Sequence, residues 1–286
     1  MSTELVTAGI HLPQAGPAAS GEALTQVAQL AEKLGFSDVW VSDHLVIPSN
    51  AKYPPSAYIY EPLAVMAWVA AKTTKIKIGT TVIVLPMRNP VVIAKSLASI
   101  DKLSGGRVIF GTAAGWLKEE FDALGVPFDE RGPRTDEAIE MIQRLWTDDH
   151  ITASFPVHGA DLVNIRAKPQ PDGEIPIWIG GHADVALRRA CRVGKGWHGG
   201  FLSIADTSDT VNRLKEFGHS NEFVISMRTN WDPLEDDPDK IMSEIEGYVD
   251  AGVTHFVPEP RQRDLENYKR SVEVLAELFN QAGVKL

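Results

Sequence analysis

The stretch DVWVSDHLVIP, residues 38–48, leaves an apolar run through Asp43 and His44. A carboxylate beside an imidazole can hold a ligand with one group and move a proton with the other, because imidazole titrates near neutral pH. The same pair also serves as a capped turn, and the residue types alone leave both readings open. No second histidine stands at metal-ligand spacing from His44, so a metal role is not expected. No GxSxG elbow is present to build a Ser-His-Asp triad around it. Two glycine-rich stretches are the other candidates. GTAAG ends at Ala114 and Gly115, and IGGHAD contains Gly180, Gly181, Ala183 and Asp184. Each stands between an apolar run and a helical pattern, where it serves equally as a tight βα turn or as a cradle whose backbone N–H groups and helix dipole favour an anion such as phosphate, and two on one rim favour a large phosphorylated cofactor. Arg228 is a candidate for an anionic substrate. Trp116, Tyr58, Trp40 and Trp197 are candidates for a pocket wall. Glu119 and Glu120 fit the first turn of a short helix, where acids suit the dipole. Arg188 and Arg189 lie mid-helix and read as a solvated face.

These residues need elements to position them. Apolar strand-like runs fall at 5–12, 38–42, 75–85, 107–114, 175–181, 196–201, 222–230 and 254–258, the sixth much the weakest. Helical periodicity follows at 22–35, where Leu24, Val27, Leu30, Ala31 and Leu34 repeat before Gly35, and again after Pro62 and Pro90. Further helical patterns cover 136–147, 183–194 and 264–283. Strands separated by helices imply parallel pairing with right-handed crossovers. Eight βα units in 286 residues fit a (β/α)8 TIM barrel better than an open sheet. In such a barrel, chemistry sits at the C-terminal ends of the strands, where Asp43, His44, the two glycine-rich stretches, Trp116 and Arg228 fall. From 148 to 173 the rhythm breaks into an extended, hairpin-like insertion. The expectation is one domain over 1–286 that carries this insertion.

Hydrophobic residues make up 44% of the chain, enough for a large core, and the formal net charge is −10. That balance argues against nucleic acid or an anionic membrane surface as the partner, while leaving room for a small anionic ligand. A single cysteine, Cys191, excludes an intramolecular disulfide. No signal peptide and no apolar run of spanning length are read, so the expected setting is cytoplasmic.

The segments GFSDVWVSDHLVIP, KIKIGTTVIVLPMRNPVVIAKSLASIDKLSGGRVIFGTAAGWLKEEFDALG and KPQPDGEIPIWIGG resemble the bacterial luciferase-like monooxygenase superfamily, and within it the coenzyme F420-dependent oxidoreductases. The resemblance covers nearly the whole chain and is densest from 35 to 146. It implies a TIM barrel with an insertion after the fourth unit, and a cofactor at the C-terminal rim. It places Asp43 and His44 on a cofactor-contacting acid/base pair. It puts a non-proline cis peptide near Thr81–Val82, behind the cofactor ring, and backbone contacts at Ala114, Gly115, Gly180 and Gly181, followed by Ala183 and Asp184. Sugar-phosphate dehydrogenases of this branch carry a catalytic glutamate where this chain has Trp116, so their substrate does not transfer. The function implied is hydride transfer between F420 and a small organic substrate. The alternatives are an FMN-dependent monooxygenase using O2 and a flavin-binding barrel without turnover. A homodimer is expected from the same resemblance.

Overall fold

The structure is a computed structural model that describes residues 6–286. The start of the first expected strand, at Leu5, lies outside the described residues. Eight parallel strands carry the fold: β1 (Thr7–Ala8 and Ile10–His11, broken at Gly9), β2 (Asp38–Val41), β3 (Lys77–Thr80), β4 (Val108–Ala113), β5 (Ile177–Gly180), β6 (Gly196–Gly200), β7 (Val224–Thr229) and β8 (His255–Pro258). Each pairs with its neighbour in sequence order. The break in β1 completes the circuit: Thr7 and Ala8 pair with His255 and Phe256 of β8, while Ile10 and His11 pair with Val39 and Trp40 of β2. The mostly parallel sheet thereby closes into the expected barrel. The weak sixth run is a full strand whose residues Gly196, Trp197, His198, Gly199 and Gly200 pair with β7 from Val224 to Arg228.

Nine helices are seen among the described residues: α1 (Gly21–Leu34), α2 (Pro62–Lys72), α3 (Pro90–Ser104), α4 (Lys118–Ala123), α5 (Arg131–Thr147), α6 (Asp184–Val193), α7 (Ile204–Phe217), α8 (Pro238–Asp250) and α9 (Leu265–Gln281). Local chemistry sets their ends. Ser20 accepts from Ala23 N at 3.0 Å to start α1, and Asn89 accepts from Val91 N and Val92 N to start α3. α5 begins five residues before the periodic stretch, at Arg131 rather than Asp136. Gly132 and Pro133 fall in its first turn, where a missing N–H costs nothing. Between β4 and β5, the strands Ile151–Phe155 and Ala160–Ile165 form an antiparallel hairpin inside the expected insertion.

Three apolar clusters among the described residues hold the fold, the smallest of them Val84, Met87 and Phe121; the other two position the barrel. One lies between strands and helices and includes Ile10, Val27, Met66, Leu97, Ile142, Leu187, Val272 and Phe279. The other fills the barrel lumen with Trp40, Ile109, Trp178 and Val257. Trp40 is therefore core and not the pocket wall expected of it. Its ring fits because a Cβ on Gly79 would lie 2.5 Å from it. Among the described residues no helix is long and apolar enough to cross a membrane.

Candidate active site

A cavity of about 770 Å³ opens at the C-terminal ends of the strands. It brings together Asp43, His44, Thr81, Val82, Ala114, Gly115, Trp116, Gly180, Gly181, Ala183 and Arg228 from the sequence-based set. Tyr58 is a correction: it does not line the cavity but is exposed, with its hydroxyl 2.9 Å from that of Tyr60. Asp184 is another. It opens α6, outside the cavity lining, and its carboxylate pairs with Arg213. Trp197 is fully buried and donates from Nε1 to Gly181 O at 2.7 Å. It fixes the glycine turn from behind and forms no part of the wall.

Asp43 and His44 follow β2 and point to different partners. Asp43 is 4% exposed. Its carboxylate accepts from Val84 N at 2.9 Å and from both Nε and Nη2 of Arg88, at 2.9 and 2.5 Å. Burial pushes the Asp43 carboxyl up, and the Arg88 pair and the Val84 N–H work against that. Arg88 also donates to Glu61 at 2.8 Å. Asp43 thus ties β2 to the segment after β3, where the Thr81–Val82 peptide is cis.

His44 faces Glu120, whose Oε2 lies 2.9 Å from His44 Nδ1. Glu120 also accepts from Leu45 N at 2.8 Å and Val46 N at 3.3 Å. A carboxylate receiving two backbone donors makes His44 Nδ1–H the third donor, which leaves Nε2 as the imidazole nitrogen open to a ligand. Sequence reading missed this glutamate: its place in the first turn of α4 gave it an ordinary explanation, yet it is 2% exposed. Arg189 was missed in the same way. It is 4% exposed, lines the cavity, and donates from Nε and Nη2 to Asp136, both at 2.9 Å.

Glycines fill much of the lining elsewhere, at Gly115, Gly180, Gly181, Gly199 and Gly200. Gly115 and Gly181 have φ of 83° and 103°, in the left-handed region that side chains disfavour. A Cβ on Gly115 would stand 2.4 Å from Val84 Cγ1. At the start of α6 the N-cap is Ala183, with no side chain capping the first turn. Ala186 N donates to Ala183 O at 2.8 Å, so the N–H groups of Asp184 and Val185 are the ones left to water or an anion. Arg228 is buried, donating to Thr81 O at 3.1 Å and Glu259 Oε2 at 2.6 Å, while its Nε has no partner among the described residues. At the mouth, Tyr53, Trp116 and Phe201 are exposed apolar rings. Tyr53 and Trp116 each lie 6.4 Å from His44 by centroid, and Phe201 lies 6.4 Å from Tyr53.

The family profile of luciferase-like monooxygenases matches residues 5–282. The chain belongs to the luciferase-like monooxygenase family. Within this family it is 33% identical, over 88% of its length and 92% of the relative's, to an uncharacterized protein of Mycobacterium tuberculosis. It is 27% identical, over 86% of its length and 90% of the relative's, to the F420-dependent glucose-6-phosphate dehydrogenase of Amycolatopsis mediterranei. An F420-dependent secondary alcohol dehydrogenase in complex with an F420–acetone adduct superposes with a TM-score of 0.83 at 20% identity, over 99% of this chain and all of that one. That last likeness is one of fold.

The cavity fits a large phosphorylated flavin-type cofactor on three observations of its own. Its volume suits a ligand of that size. Its glycine wall lets backbone approach a flat ring system. Its uncapped α6 start offers N–H groups to a phosphate.

Proposed function

We propose that this luciferase-like protein is an F420-dependent oxidoreductase acting on a small, largely apolar organic substrate. The observation that carries the reading is His44, held by buried Glu120 with one ring nitrogen open, on a cavity whose lining elsewhere is rich in glycine. Likeness to F420-dependent relatives supports the choice of cofactor. When bound, F420 supplies the hydride-accepting or hydride-donating centre.

The chain's own residues do the rest. Gly180, Gly181 and the N–H groups after Ala183 take the phosphate end. Ala114, Gly115, Thr81 and Val82 pack the ring. Asp43 keeps the Val82–Val84 segment in place through Val84 N and Arg88. His44 takes or gives a proton at Nε2 as the substrate's oxygen changes charge, and Glu120 keeps Nδ1 protonated and the ring oriented. Tyr53, Trp116 and Phe201 give the mouth an apolar surface, so a carbon-rich alcohol or carbonyl compound fits better than a sugar phosphate.

The test is anaerobic turnover. F420 absorbance is followed with a panel of alcohols, and reduced F420 with the matching carbonyl compounds. Conversion without O2 supports the reading. Turnover confined to reduced FMN plus O2 would replace it with the monooxygenase alternative, and cofactor binding without turnover on any panel with the non-catalytic one.

A further inference from the structure

Below the cavity a chain of hydrogen bonds crosses the barrel lumen. Thr81 Oγ1 lies 2.6 Å from His198 Nε2, and His198 Nδ1 lies 2.8 Å from Ser226 Oγ. Ser226 Oγ lies 2.8 Å from His255 Nδ1, and His255 Nε2 lies 3.0 Å from Asp38 Oδ1. All five residues are buried, Thr81 the least at 6% exposed. Trp40 stacks on His198 with centroids 5.1 Å apart and planes 5° from parallel, fixing the imidazole plane. Only Thr81 and His198 of the five line the cavity.

Donor directions follow from the Asp38 end. Its carboxylate accepts from Trp40 Nε1, from Ser37 Oγ at 2.7 Å and from His255 Nε2. Burial pushes the Asp38 carboxyl up, but His255 and the Trp40 and Ser37 donors outweigh it and hold it below the ordinary value. His255 Nε2 thus carries a proton, and in the neutral ring Nδ1 accepts from the Ser226 hydroxyl. The Ser226 oxygen then accepts from His198 Nδ1–H. Burial lowers His198 to about 3, so this ring is neutral and its Nε2 accepts from the Thr81 hydroxyl. Every proton in the chain points towards Asp38. The backbone of Thr81 is already used: its N–H donates to Val41 O at 2.7 Å, and its carbonyl accepts from Arg228.

We propose that Asp38, acting through His255, Ser226 and His198, locks the Thr81 hydroxyl so that its oxygen is a fixed hydrogen-bond acceptor on the cavity floor, selecting ligands that present an N–H or O–H there. Asp38, His255 and Ser226 are positioning residues in this arrangement, since they reach the ligand only through His198 and Thr81; His198 itself lines the cavity. An extra proton on His255 would leave its bond to Asp38 as it is, reverse the three bonds between His255 and Thr81, and turn Thr81 into a donor.

The ring tautomers are read by long-range proton–nitrogen NMR on the unliganded, 15N-histidine-labelled protein, so this test stands apart from the F420 reading. The expected result is His255 protonated at Nε2 and His198 at Nδ1. In Ser226→Ala the link is cut, and His198 is expected to populate both tautomers while His255 keeps its own. Affinity is then measured for F420 and FMN separately. For whichever binds, Thr81→Val and Ser226→Ala should each weaken binding about tenfold, the loss of one oriented hydrogen bond, with Thr81→Ser close to wild type. Wild-type His198 protonated at Nε2 would overturn the proposal. So would a Ser226→Ala variant with an unchanged His198 tautomer or unchanged affinity.

Discussion

The two walls of the cavity are built in opposite ways. The wall after β2 carries Asp43 and His44, each held by a partner behind the cavity lining: Asp43 by Arg88, which Glu61 holds in turn, and His44 by Glu120. The wall after β5 and β6 is glycine-rich, with Gly180, Gly181, Gly199 and Gly200 beside His182, Arg189 and Phe201, and no side chain caps the start of α6. Side chains aimed by buried partners hold a proton at one atom, which suits chemistry. Backbone N–H groups on a flat wall bind without titrating, which suits holding a cofactor. The comparison teaches that positioning and reaction are divided between the two sides of one cavity.

That division can be broken from either side. His44→Ala should lower turnover by about 10²–10⁴, the range for losing a general acid or base, while cofactor affinity changes little; equal losses in both would erase the distinction. Arg88→Met leaves the Asp43 carboxylate buried without its cation and should cost about 3–5 kcal/mol in urea unfolding. Ala183→Asp puts a capping carboxylate on the other wall. It should stabilise the protein by about 1 kcal/mol yet weaken cofactor binding by at least about tenfold, because the cap occupies the N–H groups and repels phosphate. Binding unchanged by that cap would remove the anion role of α6. Glu120→Gln should cost about tenfold in turnover, the value of one orienting hydrogen bond, and leave affinity intact.

A smaller effect separates the lumen from both walls. Burial lowers His11 to about 4 and His198 to about 3 from an ordinary 6.5. Below pH 6.5 the unfolded chain takes up protons that these folded sites refuse. Stability is therefore fully present above pH 6.5 and declines as pH falls towards 4. Urea midpoints at pH 7 and pH 5 check this, and His198→Asn should shallow the decline.

Much of this arrangement was legible in the sequence. The alternation of apolar runs with helical spacing shows the barrel, and the ends of those runs show the rim. Gly115, Gly180 and Gly181 stood out within two glycine-rich stretches on one rim, although each stretch alone serves equally as a tight βα turn. Glu120, Arg189 and the lumen residues did not stand out. Glu120 suits the first turn of a helix and Arg189 suits a helix's wet face, so local pattern explains both without a partner. Their partners, His44 and Asp136, lie 76 and 53 residues away in sequence, and no local spacing records such a contact. His198 sits in a strand with three glycines, and the weak apolar signal there hid that it points into the lumen. Trp40 and Trp197 were misplaced for a related reason: a large aromatic ring at a strand end serves a pocket or a core, and only its neighbours decide.

The central claim is that the glycine wall and the His44 wall together accept F420. Titrating the purified protein with F420 and with FMN, using tryptophan fluorescence, tests it most directly, because Trp116 on the cavity wall is 58% exposed and will report occupancy. The account predicts saturable quenching by F420 that Ala183→Asp weakens and His44→Ala does not. Saturable binding of FMN with none of F420 would contradict it.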